Sequence, residues 1–230
     1  MSVFVAEELS EVLNTKVVIG RINMGLLNRI IIDDVLLDDQ SGQEMLKVTR
    51  LSAKFDIMPF FKGKISISSV QLFGFNINLR KETPDSPPNF KFVLDAFASK
   101  DTVKKENSLD LRINSILIRR GRMSYHVLSE EETPGKFNAK HIQLQNIIAN
   151  ISLKALSKDS LNLGIKRLSL DEKASGFSLK KMSLKLVANN KQTNIDNFTI
   201  ELPETSLKLD TIHLEYDSCL LYTSPSPRDA

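Results

Sequence analysis

The side chains best able to do chemistry in this chain are spaced so that they form no recognisable catalytic or metal-binding signature. The histidines His126, His141 and His213 stand far apart, without the paired spacing of zinc ligands. Cys219 has no second thiol to pair with. Asp33, Asp34, Asp38 and Asp39 form an acidic cluster, but their spacing does not converge oxygens on one ion and no Gly-centred turn sits inside it, so calcium is not expected. The chain has no Gly-x-Ser-x-Gly elbow, Walker-type phosphate loop or dinucleotide fingerprint. Ser and Asp are abundant, but in turns and on wet strand faces, where they are expected. The reading is a protein that is not an enzyme, with no cofactor and no metal ligand.

What remains is apolar chemistry, and it is ordered. The stretch from Ile65 to Arg80 places apolar residues at Ile65, Ile67, Val70 and Leu72, an alternation with a period of two that marks a strand with one buried and one wet face. The pair Ser68-Ser69 breaks that alternation by one residue. The same break recurs at Gly20-Arg21, Asp33-Asp34, Thr49-Arg50, Asn114-Ser115, Gln145-Asn146, Lys166-Arg167, Lys180-Lys181, Asp196-Asn197 and Asp210-Thr211, each flanked by apolar alternation. The chemistry of the pairs varies while their position does not, which points to a backbone role. In a regular strand the slip would send the second apolar pair to the opposite face. A β-bulge at each break keeps both apolar pairs on one side. Chance patterning in half-buried strands is the bland alternative. Tight hairpins at the pairs fit poorly, because almost none carries Asn-Gly or Asp-Gly.

The predicted fold class is mainly β: a long, curled, antiparallel sheet with bulged strands, forming an open apolar groove. Repeated bulges curl a sheet toward one side. Ile, Leu and Val dominate the expected lining, with large aromatics scarce outside the Phe-rich pieces between Phe55 and Phe97. Residues assigned to the lining are Ile67, Leu72, Ile113, Ile118, Leu168, Leu184, Ile200 and Leu209. With ten to thirteen strands the groove would be about 50–60 Å long. Leu111 to Ile118 repeats Ile65 to Leu72 at an offset of 46 residues. Gly74 marks either a hairpin return or a sharp bend in one long strand.

Two helices interrupt the strands. Ser2 to Leu13 carries Val5, Leu9, Val12 and Leu13 on one stripe, and Asn14 ends it. In the insertion at 89–99, Asn89 suits an N-cap, and Phe90, Val93, Leu94 and Phe97 fall at the spacing of one helical face. That face is expected either to plug the mouth or interior of the sheet or to pack on one sheet face. The domain reading is a helix at 1–14, a curled sheet at 15–218 and a non-native tail at 219–230, where CLLYTSPSPRDA abandons the alternation.

Bulk composition narrows the partners. The 230 residues carry 31 basic and 28 acidic side chains with both signs scattered, and there is no Trp. Without a basic block or stacking platforms, nucleic acid is not expected. No run of about 18 apolar residues is present, so no helix is expected to span a bilayer.

The run TKVVIGRINMGLLNRIIIDDVLLDDQSGQEMLKVTRLSAKFDI, the connection MPFFKGKISISSVQLFGFNINLRKE and the helix PPNFKFVLDAF together resemble the N-terminal region of the AsmA-like, TamB-type family. The likeness extends over about residues 1 to 218 and is carried mostly by the first hundred. It implies a periplasmic β-taco groove of the bridge-like lipid transfer class, holding phospholipid acyl chains on the way between inner and outer membranes. It further implies an outer-membrane barrel protein as partner, in outer-membrane biogenesis and insertion of β-barrel proteins, and an inner-membrane anchor that this chain lacks. The alternative function is a scaffold or chaperone that offers an open edge to β-rich clients by strand addition.

Overall fold

The computed structural model describes residues 2–26, 28–55, 67–98, 114–156 and 160–216. A helix, α1 (Ser2–Leu13), precedes the strands β1 (Val17–Gly25), β2 (Arg29–Asp38), β3 (Glu44–Phe55) and β4 (Ile67–Lys81). A second helix, α2 (Lys91–Ala98), leads to β5 (Ser115–Val127), β6 (His141–Leu156), β7 (Ser160–Glu172), β8 (Ser178–Asn189), β9 (Gln192–Glu201) and β10 (Ser206–Glu215). The ten strands form one sheet in chain order, and β1 and β10 do not pair, so the sheet is not closed into a barrel. The fold is mainly β, as the alternation predicts.

One pairing departs from the expected antiparallel order. β4 and β5 run parallel, Leu72 beside Ile118 and Val70 beside Ile116, an offset of 46 residues that matches the internal repeat. A parallel neighbour needs a crossover connection. The segment holding α2 supplies it, which is why the strand-only pattern breaks there. Gly74 bends one long strand instead of turning a hairpin.

The polar pairs keep the apolar residues on one face by two devices. From β5 to β8 the register shifts by one residue and shifts back, and between β8 and β9 it shifts once, as bulges require: Asn150 faces Arg167 while Ile151 faces Ile165, skipping Lys166. A similar shift skips Ser68 between Lys54 and Phe55. Across β1 to β4, by contrast, the breaks at Gly20-Arg21, Asp33-Asp34 and Thr49-Arg50 lie side by side, and the register moves only near strand ends, at Leu37/Asp38 and Lys54/Phe55. Ile19 faces Val35 and Ile22 faces Ile32, with Gly20 and Asp34 level between them. There the slip is absorbed by left-handed backbone at Asp34 (φ 55°) and Gly74 (φ 64°), and on neighbouring β5 at Arg120 (φ 55°). The expectation of a bulge in every strand is corrected to this mixture. A matching slip in the neighbouring strand removes the mismatch that a bulge would otherwise take up. β4 and β5 also carry a break absent from the predicted set, at Phe73-Gly74 and Arg119-Arg120.

Two buried carboxylates fasten the turns. Asp39, 2% exposed, accepts from the Ser41 and Gln43 amides, the Ser41 hydroxyl and Asn89 Nδ2, and pairs with Arg80 at 2.6 Å. Burial works against its charge, yet these hydrogen bonds hold the carboxyl below the usual range. Asn89 is therefore not the helix cap predicted for it. Glu172 at the β7–β8 turn is bound by the Ser175 hydroxyl and the amides of Gln143, Ala174 and Ser175. Burial would raise it, but these donors bring it down to about 2.

The helices occupy one end. Ala6 and Leu13 of α1 join Val17, Ile19 and Leu37 in a single cluster, with Phe90, Phe92, Val93 and Ala96 packed against it. In α1 the predicted stripe is corrected: Leu9 and Val12 are exposed, and Ala6 takes their place because it and Leu13 lie two turns apart on the sheet-facing side. Asn14 does end the helix, in the left-handed conformation (φ 48°).

Candidate functional site

The site builds up from the register. Following partners from strand to strand, Ile22, Ile32, Leu51, Leu72, Ile118, Ala149, Leu168, Met182, Ile200 and Leu207 form one row across all ten strands. Every member is apolar. Beside it runs a second row, Met24, Ile30, Ala53, Val70, Ile116, Ile151, Ile165 and Leu184, also wholly apolar. Nine intervals at the spacing of paired strands make the first row about 43 Å long, shorter than the sequence suggests. That is close to the thickness of one bilayer, about 40–45 Å with headgroups.

Little covers this face. Among the described residues each strand packs only against its sheet neighbours, and the remaining element contacts are α1 with β1 and α1 with α2. Among the described residues no second layer lies over β4 to β10. In the middle of the sheet Val48, Phe75 and Ile147 are buried, with Leu72, Ile118, Met123, Leu144 and Leu170 half-buried around them. Toward β10 the face opens, and Leu207 and Leu209 are 47% and 39% exposed.

The predicted lining residues divide accordingly. Leu72, Ile118, Leu168 and Ile200 sit on the first row and Leu184 on the second. Leu209 faces Phe198. Ile67 begins β4, and its side chain, like the whole of Ile113, lies outside the described residues. Of the residues assigned to a plug, Phe90 and Val93 pack on the cluster at the β1 end. Leu94 does not: it is 58% exposed, because Phe92 and Ala96, four residues apart, form the packed side instead. The Phe97 side chain lies outside the described residues. So does the tail at 219–230. The helix packs at one end of the apolar face.

The opposite face is polar and paired. Arg21, Asp33, Arg50, Phe73 and Arg119 form its central row. Arg50 Nε lies 2.6 Å from Asp33 Oδ1, and this hydrogen bond holds the Asp33 carboxyl below the usual range. The Arg120 guanidinium stands 5.2 Å from the Phe73 ring centre. A hollow of about 400 Å³ on this side is lined by Lys47, Thr49, Asn76, Arg120, Arg122 and Asn146. It offers cations and amides, unlike the apolar rows. The acidic cluster does not gather: Asp33 turns to Arg50, and Asp39 is enclosed in its own turn.

Sequence spacing misses one cluster. His126 and His141 are register partners at the ends of β5 and β6, with Nδ1 atoms 3.0 Å apart. The description of the histidines as isolated holds for His213 but is corrected for these two. The usable signal is their position as the residues that close a hairpin, one at each strand end. No helix among the described residues is long and apolar enough to cross a membrane. Comparison with models of known protein families and with curated proteins finds no match to the chain.

Proposed function

We propose that the chain is a segment of a lipid conduit, in which phospholipid acyl chains lie along the apolar rows while headgroups stay in water at the sheet margin. The observation that carries this reading is the first row, apolar on every one of ten strands and, among the described residues, half-buried or exposed from β4 onward except at Ala149. A face used only for folding would be covered, since each half-buried Leu or Ile left wet forfeits part of the roughly 1.5–3 kcal/mol its burial offers. Acyl chains supply the missing cover without a specific polar contact, in keeping with a lining of Ile, Leu and Val. The resemblance to the AsmA-like, TamB-type family supports the same reading. With it come a periplasmic location, attachment to the inner membrane and an outer-membrane barrel partner.

A second reading rests on β10. It pairs only with β9 among the described residues and presents an open edge, which fits strand addition to a β-rich client. Native mass spectrometry of the full chain, purified from membrane-containing cells in mild detergent, separates the two. The conduit predicts a folded protein carrying phospholipid masses at near-stoichiometric level. A folded, lipid-free protein would remove the conduit and leave the edge.

A further inference from the structure

The hairpin between β5 and β6 carries a cluster that neither proposed role uses. His126 and His141 face each other across the last rung, their rings 5.3 Å apart. Glu132, from the loop they enclose, brings Oε1 to 3.8 Å from His126 Nδ1 and 3.9 Å from His141 Nδ1. From these three separations, a single point lies about 2.1 Å from all three atoms, the length of a zinc bond to nitrogen or carboxylate oxygen.

The cluster is also prepared electronically. His141 is 7% exposed, and its Nε2 lies 2.9 Å from the Glu130 carbonyl oxygen. Donation from Nε2–H to that carbonyl fixes the tautomer and leaves the Nδ1 lone pair free to accept. In the metal-free state His126 Nδ1–H donates to it. A cation would take the place of that hydrogen: His126 changes to its Nε2–H tautomer, its proton moving from Nδ1 to Nε2 through solvent with no net release, and the ion receives both Nδ1 lone pairs. The loop is held from behind: His141 N donates to Asn138 O at 3.0 Å, Asn138 Nδ2 to Glu131 O at 3.1 Å, and Lys140 pairs with Glu130 at 2.6 Å. Glu132 is exposed, so a fourth position stays open to water.

We propose that His126, Glu132 and His141 bind one divalent transition-metal ion of the zinc class, which clips the 128–140 loop onto the end of the sheet. Two imidazoles and one carboxylate with an open position suit Zn²⁺ or Co²⁺ and do not suit Ca²⁺ or Mg²⁺, which prefer all-oxygen shells.

The test is titration of the chelator-stripped full chain with Zn²⁺ alone by calorimetry, and with Co²⁺ by visible absorption. One ion per chain is expected, with a Co²⁺ band typical of low coordination number. Glu132→Gln, an exposed substitution, should weaken Zn²⁺ by at least the roughly 10–100-fold that loss of a mere supporting partner costs. His126→Gln should abolish the Co²⁺ band with the urea midpoint of the metal-free protein unchanged. No saturable uptake, or uptake equal in wild type and both variants, would overturn the site.

Discussion

Gly121→Val is expected to destabilise the protein by about 3 kcal/mol, the upper range for overpacking a filled site. A Cβ at this position would lie 2.4 Å from both Cε1 and Cζ of Phe75 and 3.0 Å from Ile147 Cβ. Phe75 and Ile147 belong to the buried cluster at the centre of the sheet, so the ring cannot swing aside without vacating it. The requirement is space, because the left-handed backbone at this level belongs to the preceding residue, Arg120. Urea unfolding of the single variant should show the loss. Pairing it with Phe75→Leu, which shortens the overlying side chain, should restore a substantial part. An unchanged midpoint for Gly121→Val would mean that Phe75 does not lie over Gly121.

Changing Leu168 and Leu184 together to Asp is expected to weaken binding of a fluorescent phospholipid about tenfold or more, as losing one or two buried leucine contacts implies. Both side chains are half-buried on the open face, where water can reach an introduced carboxylate, so the sheet should survive. The urea midpoint and circular dichroism spectrum report that survival. Lys185→Ser, on the exposed opposite side of β8, should leave lipid binding unchanged. Equal binding by wild type and the double variant would place the acyl chains elsewhere.

How much of this was legible in the sequence follows from what each signal depends on. The apolar face was readable because period-two alternation survives each polar pair, and strand register then aligned the rows without further information. The parallel β4–β5 pairing was written in the 46-residue repeat, but parallel direction requires knowing where the crossover goes, and alternation carries no direction. Placement of the breaks in β4 and β5 failed for a related reason. Gly74 and Arg120 absorb the slip through φ, which a polar pair does not reveal. In α2, Val93 is flanked by Phe92 and Leu94, and helical spacing alone does not say which of the two packs. His126 and His141 came together only through the hairpin, since fifteen residues of separation hide a single rung. Asp39 looked like one of four loose acids, whereas its role comes from partners as distant as Arg80 and Asn89.

The most direct measurement is photo-crosslinking in intact cells, with a photoreactive amino acid placed at position 184 in one variant and position 185 in another. These neighbours point to opposite faces of β8. The conduit predicts a phospholipid adduct at 184 and none at 185. No lipid adduct at 184, or equal labelling at both positions, would contradict it.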